Sequence, residues 1–288
     1  MFIRDYPLSK VTSLGVGGPA DLFIQPKSAS EVAETQRFAA EHDLPLTIIG
    51  YGTNILVRDG GIRGIVMQIA DSFAQAKVEG TILTAQAGCL LGSLSKLALL
   101  HNLSGLEFAV GIPGGLGGAT FMNAGAYGGE IGPLVHSIQF VQNGELGQWS
   151  RDEFSFSYRN SRLQNEAHGA IVTRVELELI PSEQQDILQK MDDFQNQRRS
   201  KQPLEFPSAG STFKRPPGHY VGPLIEQAGL KGLRIGGAEV STKHAGFLIR
   251  TGAAKARDFL DLIEKIQETI LQEYGVSLEP EIRILGDD

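Results

Sequence analysis

A chain of 288 residues, 41% of them hydrophobic, has the length for two domains or three small ones and the material for a sizeable core. Its net charge of -7 leaves no basic footprint for nucleic acid; the single cysteine, Cys89, excludes an internal disulfide framework, and no Cys/His spacing resembles a metal site. No apolar run approaches the ~18 residues of a membrane span, and the opening "MFIRDYPLSK" lacks the regions of a secretory signal, so a soluble, cytoplasmic, globular protein is expected.

Residues 21–24 ("DLFI") read as a short strand. Ser28 and Glu31 then form an S-x-x-E capping box, with a helical pattern to about His42 and a stop at Pro45. "LTIIG" (46–50) reads as a buried strand, "GYGTN" (50–54) as a tight loop and "GIVMQI" (64–69) as another strand, which makes the first 70 residues an α/β unit. A second unit opens with the strand "TILTAQAG" (81–88) and a helix from about Leu91 to Leu103. The stretch 105–132 is too glycine-rich for ordinary regular structure. A hairpin comes next, 135–141 with 145–149, turning at Asn143-Gly144. "AIVTRVELEL" (170–179) alternates like a half-buried strand, and Pro181 stops it. A helix starts at Ser182 and runs to the basic "RRSK" (198–201). The proline-bearing "QPLEFPSAG" (202–210) leads to a third unit, which has a helix at about 254–273 and a closing strand "PEIRIL" (280–285). The expected parts are therefore 1–70, 71–182 and 183–288.

Two loops carry the first functional signal. "LTIIGYGTNILV" places Gly50 and Gly52 after a strand, but Ile55 occupies the third glycine position of a Rossmann fingerprint, and the residues after it are β-like. The loop keeps its physical use all the same. Gly50 and Gly52 allow close backbone approach, successive N–H groups form an anion nest, and Thr53 and Asn54 add a hydroxyl and an amide, so a diphosphate is the natural guest. The second loop, "GIPGGLGGATFMNAGAYGGE" (111–130), reads as backbone wrapped around a large flat cofactor, with Asn123 and Tyr127 as its polar groups.

"TSLGVGGPADLFI" (12–24), "GYGTNILVRDGG" (50–61), "GLEFAVGIPGGLGGATFMNAGAYGGEI" (105–131), "FSYRNS" (156–161), "PSAGSTFK" (207–214), "GLKGLRIGGAEVSTKHAGF" (229–247) and "LEPEIRILG" (278–286) together resemble the blocks of the UDP-N-acetylenolpyruvoylglucosamine reductase (MurB) family, in the family's order and over nearly the whole chain. The resemblance implies an α+β protein: a two-subdomain FAD-binding fold of the vanillyl-alcohol-oxidase type plus a C-terminal α/β substrate-binding domain, in the subgroup lacking an extra tyrosine-bearing loop. It implies noncovalent FAD, NADPH as co-substrate, and a UDP-sugar, UDP-N-acetylenolpyruvoylglucosamine, reduced to UDP-N-acetylmuramate for peptidoglycan by a monomer. It assigns Gly50, Tyr51, Gly52, Thr53, Asn54 and Ile55 to the FAD diphosphate, with Thr53 where the family usually has serine. It assigns Pro113, Gly114, Gly117, Gly118, Asn123, Ala124, Gly125, Ala126 and Gly129 to the rest of the flavin.

The implied chemistry needs a fork of donors on a carboxylate that accumulates charge, a proton donor, and a second polar group on an enolate-like intermediate. Arg159, Ser211 and Glu281 match the family's residues for these roles. Glu279, two residues earlier in a strand pattern, is expected to share the face of Glu281, and the motif favours Glu281. Lys214, Arg215, Lys231, His244 and Arg283 match positions lining the UDP-sugar site; His244 reads equally as a packing histidine. Arg215 stands where the family usually has asparagine, Pro223 replaces a basic residue, and Arg250 stands where an asparagine often comes after "HAGFLI". Cys89 and Trp149 read as core and sheet packing. The competing readings are another FAD oxidoreductase of the same fold, acting on a different sugar or alcohol, and a nucleotide-binding module without catalysis.

Overall fold

The cap at Ser28 forms as its spacing demands: its side chain accepts from Glu31 N–H, and the helix runs Ala29–Glu41, burying Val32, Ala33, Thr35 and Ala39. The computed structural model describes residues 1–166 and 169–288. The chain divides into two compact units, each drawn from separated stretches: Met1, Phe23–Tyr51 and Ile65–Arg198 form one, and Phe2–Leu22, Gly52–Gly64 and Arg199–Asp288 the other.

The first unit is built on a five-stranded antiparallel sheet in the order Glu145–Ser150, Val135–Gln142, Ile171–Glu178, Ile82–Gln86, Ala76–Glu79. The Asn143-Gly144 turn, both residues at positive φ, sets the expected hairpin, with Gln142 opposite Glu145. Alternation along Ile171–Glu178 sends Ile171, Thr173, Val175 and Leu177 inward, and Val175 and Leu177 are wholly buried. Trp149 packs against the sheet as expected, stacked on Phe140 at 3.9 Å. Leu46–Ile49 pairs in parallel with Ile65–Gln68. The glycine-rich stretch holds more regular structure than its composition suggests. Leu116–Met122 is a helix that buries Leu116, Ala119 and Thr120, and Gly125–Ala126 pairs with Gly129–Glu130 as a tight hairpin.

The second unit packs helix Ala256–Tyr274 and helix Val221–Gln227 with a four-stranded antiparallel sheet, ordered Ser208–Ser211, Phe247–Arg250, Ala238–Val240, Arg234–Ile235. Phe259, Leu262, Ile263, Ile266 and Ile270 recur at helical spacing and are buried. The Asp59 carboxylate accepts from the N–H groups of Ala256 and Arg257 at 2.9 and 3.0 Å, which ties the helix start to the "RDGG" loop. Gly275, left-handed, closes the other end. The closing strand is shorter than its pattern implies. Only Arg283–Leu285 pairs, in parallel, with Ile55–Val57, and residues 281–282 form a bend. Glu279 and Glu281 therefore do not share a strand face; Pro280, which lacks an N–H, interrupts the run.

Candidate active site

In the second unit a β-bulge sets Ser211. Ser208 pairs with Ile249 but Ser211 with Phe247, so one extra residue is inserted on this strand, and Gly210 takes φ +80° to admit it. Such a bulge re-aims the side chain next to it. The adjoining residue, Thr212, is the connector: its carbonyl accepts from Glu281 N–H at 2.8 Å. The bridge Phe213 to Pro280 continues that contact, and Lys214 N–H donates to Glu279 O at 2.8 Å. Glu281 O in turn accepts from Asn54 Nδ2 at 3.3 Å, and Arg283 N–H donates to Asn54 O at 3.0 Å. The strand end bearing Ser211, the segment bearing Glu281 and Arg283, and the end of the "GYGTN" loop thus meet. Lys214 Nζ is paired with the Glu279 carboxylate at 2.6 Å, so these two side chains answer each other at the same junction.

The remaining substrate candidates have local partners. Lys231 pairs with Glu226 at 2.9 Å. The Arg215 guanidinium lies over the Tyr220 ring at 3.9 Å, a cation–π contact. His244 Nδ1 accepts from Gly246 N–H at 3.1 Å and its ring meets Phe247 edge-on at 5.0 Å. Burial, then the nearby Lys231 and Lys201 charges, holds its pKa below the usual histidine value. Arg250 donates to Gly15 O at 2.9 Å and so latches the "TSLGVGG" turn; this arginine has a structural partner.

In the first unit Arg159 sits in the two-residue turn between Ser157 and Asn160, with φ +53°. A non-glycine residue there is uncommon and strained. Its Nη2 donates to Gly125 O at 3.1 Å, which brings "FSYRNS" onto the glycine-rich hairpin. Asn123, also left-handed and 1% exposed, makes the same junction from within the protein. Its Nδ2 donates to Glu130 Oε2 and Ser157 O at 2.9 and 3.0 Å, and its Oδ1 accepts from Gly132 N–H at 2.9 Å. The Asn123 side-chain amide is therefore hydrogen-bonded inside the protein. Tyr127 and Gly128, both at positive φ, turn the hairpin, and Tyr127 stacks on Phe194 at 4.9 Å.

The glycines separate into two kinds. A Cβ on Gly117 would stand 2.9 Å from Ala87 Cβ, on Gly129 2.4 Å from Phe108, on Gly125 2.6 Å from Gly129 O, and on Gly52 2.1 Å from Val11 O. Internal packing requires glycine at those positions. A Cβ on Gly118 would meet nothing within 4 Å, and on Gly50 only Ile69 O at 3.8 Å. Nothing inside the protein demands glycine there, which fits a backbone surface left bare for a flat cofactor. Sequence reasoning misses Gly115, where a Cβ would stand 3.2 Å from the Tyr51 ring, and misses Asp71 and Gly88, the two acceptors facing the Tyr51 hydroxyl. The "PGGLGG" run is a signal for Gly115; nothing in the sequence marks Asp71.

Two family models match the chain: an FAD binding domain over residues 20–145, and the C-terminal domain of UDP-N-acetylenolpyruvoylglucosamine reductase over 202–285. The chain is 50% identical over 281 residues to UDP-N-acetylenolpyruvoylglucosamine reductase of Latilactobacillus sakei, covering 97% of this chain and 92% of that one. It belongs to the UDP-N-acetylenolpyruvoylglucosamine reductase family. A family member of the same name from Clostridioides difficile is 45% identical over 285 residues, 99% of this chain and 93% of its own. The crystal structure of the family's enzyme from Thermus caldophilus superposes with a TM-score of 0.87 at 34% identity, covering 99% of this chain and all of that one. The fold is the family's α+β arrangement, an FAD-binding domain together with the family's C-terminal domain. Among the described residues, no helix is long and apolar enough to cross a membrane.

Proposed function

We propose that the protein reduces UDP-N-acetylenolpyruvoylglucosamine to UDP-N-acetylmuramate with NADPH as the electron source and noncovalent FAD as the carrier. The observation that carries this reading is near-full-length identity of 50% to a reductase of that name, in a chain whose Ser211 and Glu281 segments are hydrogen-bonded to each other through Thr212. In the ligand-based division, residues 1–70 and 71–182 hold FAD and 183–288 holds the UDP-sugar. The enzyme works in the cytoplasm as a monomer, independent of membrane and nucleic acid, and supplies the peptidoglycan on which cell shape and division depend.

Residues Gly50 to Ile55 would hold the diphosphate of FAD, and Pro113, Gly114, Gly117, Gly118, Asn123, Ala124, Gly125, Ala126 and Gly129 its remainder. When bound, FAD would supply a two-electron store between NADPH and the enolpyruvyl ether. The protein's residues manage the charge. The Arg159 guanidinium holds the substrate carboxylate as a planar fork, and stabilises the negative charge that spreads into it as the C=C bond is reduced. The Ser211 hydroxyl gives its proton to the carbon that bears the ether oxygen and recovers one from solvent. A hydroxyl is a weak acid, but an enolate is a strong base, so placement decides the rate. Glu281 polarises the same intermediate. Lys214, Arg215, Lys231, His244 and Arg283 line the UDP-sugar site, with Arg215 offering a cation where the family usually offers an amide.

The test is steady-state NADPH consumption by the purified protein. It should depend on the enolpyruvyl UDP-sugar and yield a product two hydrogens heavier. Consumption with a different sugar or alcohol, but none with the enolpyruvyl ether, would assign another substrate to the same fold.

A further inference from the structure

The sequence assigns Tyr51 to cofactor binding through its place in the Gly-x-Gly loop, where its backbone would serve. Its side chain does something separate. The hydroxyl lies 2.6 Å from Asp71 Oδ1 and 2.8 Å from Gly88 O, so one proton faces two acceptors. The ring edge lies 3.2 and 3.4 Å from where a Cβ on Gly115 would stand, so any larger residue there would push the ring by a few tenths of an ångström. Gly88 is fixed in turn, because a Cβ on it would stand 2.1 Å from Ala70 O and 2.4 Å from Phe73 O. Gly88 N–H donates to Phe73 O at 2.9 Å, and Leu116 N–H donates to Cys89 O at 2.9 Å. One side chain therefore ties the start of the Gly-x-Gly loop to the Asp71–Phe73 turn, to the end of strand Ile82–Gln86, and to the first turn of helix Leu116–Met122.

We propose that Tyr51 is a positioning residue for FAD: its side chain locks the Gly50–Tyr51 start of the Gly-x-Gly loop against Asp71, Gly88 and Gly115, so that the N–H groups there are ordered before the diphosphate arrives. This rests on the assignment of FAD to that loop. Three features point the same way. The tether uses the residue between the two loop glycines, where it most restricts their freedom. The Gly88 acceptor adjoins Cys89, whose carbonyl accepts from Leu116 N–H in the second glycine-rich run. Burial, the Asp71 hydrogen bond and the Asp71 charge push the phenol above its usual range, which keeps the donor proton in place. A loop ordered in advance loses less freedom on binding, and the gain appears in ligand affinity.

The experiment compares wild type, Tyr51→Phe and Asp71→Asn, each stripped of FAD and titrated with FAD while protein and flavin fluorescence are recorded. Thermal unfolding is measured with and without FAD. Tyr51→Phe keeps the ring against Gly115 and removes only the tether. Its FAD dissociation constant should rise about tenfold to a hundredfold, the effect of one lost hydrogen bond with a charged partner. Its apoprotein should melt with wild type, and the FAD-induced rise in melting temperature should shrink. Asp71→Asn should show a smaller change in the same direction. An unchanged dissociation constant in Tyr51→Phe overturns the tether while leaving the reductase reading intact. An equal fall in melting temperature with and without FAD, at unchanged affinity, assigns the bond to stability alone and also overturns it. A wild-type protein that takes up no FAD defeats the assignment of FAD to the loop and the tether with it.

Discussion

Glu281 N–H donates to the carbonyl of Thr212, the residue after Ser211, at 2.8 Å. With the Phe213–Pro280 bridge and the bond from Lys214 N–H to Glu279 O, it sets the segments carrying the proposed proton donor and the proposed enolate ligand side by side. It holds them by backbone, so that replacing either side chain leaves the connection standing.

Ser211→Ala should accordingly fold as wild type. Flavin reduction by NADPH should be retained, while reoxidation by the enolpyruvyl substrate slows by about 10²–10⁴-fold, the usual range for a lost general acid. Stopped-flow measurement of the two half-reactions separates these. An equal loss in both would remove Ser211 from proton transfer.

Arg159→Lys keeps the charge and the left-handed turn but loses the planar fork. The expected outcome is a fall of about 10²–10³-fold in the substrate half-reaction with NADPH oxidation unaffected. The Gly125 O contact is lost as well, so FAD affinity should be measured alongside. A change confined to FAD affinity would make Arg159 a loop clamp.

Gly117 and Gly118, adjacent in one helix, should respond oppositely to alanine. Gly117→Ala drives a Cβ to 2.9 Å from Ala87 and should lower the melting temperature of the apoprotein. Gly118→Ala points into open space and should stabilise the apoprotein by about 0.5–1 kcal/mol through helix propensity, yet weaken FAD binding. Apoprotein melting and flavin titration read the two effects. If Gly118→Ala binds FAD as tightly as wild type, that surface is not part of the cradle.

His244 gives stability a pH dependence of known sign. Burial holds its folded pKa below the unfolded value of ~6.5, so the unfolded chain binds more protons in that interval and stability rises with pH. The contribution is complete above ~6.5 and is lost as pH falls through the folded pKa. His244→Gln should flatten the slope of denaturation midpoint against pH below ~6.5 relative to wild type. An unaltered slope would mean that other groups govern it.

Local signals in the sequence are readable where short-range chemistry decides the outcome. Ser28 with Glu31, and Asn143 with Gly144, fix a helix start and a hairpin within four residues, and both form. The glycine-rich stretch misleads because composition hides periodicity. Leu116, Ala119 and Thr120 keep helical spacing among glycines, and the helix gains its stability from their burial. The family motifs name Ser211 and Glu281, but their adjacency depends on a bulge at Gly210 and a bridge from Phe213 to Pro280, contacts between distant parts of the chain. The partners of Asn123 are hidden in the same way: its amide satisfies Glu130, Ser157 and Gly132, which spacing alone does not name. Glu279 passes for a face-mate of Glu281 only when alternation is extended past Pro280, but the chain bends at residues 281–282.

The most direct measurement is anaerobic. The protein is reduced with one equivalent of NADPH and mixed with the enolpyruvyl UDP-sugar while the flavin absorbance is recorded. Rapid return of the oxidised flavin spectrum is expected, with one equivalent of the lactyl ether formed. A flavin that stays reduced in the presence of that substrate would contradict the proposed reaction.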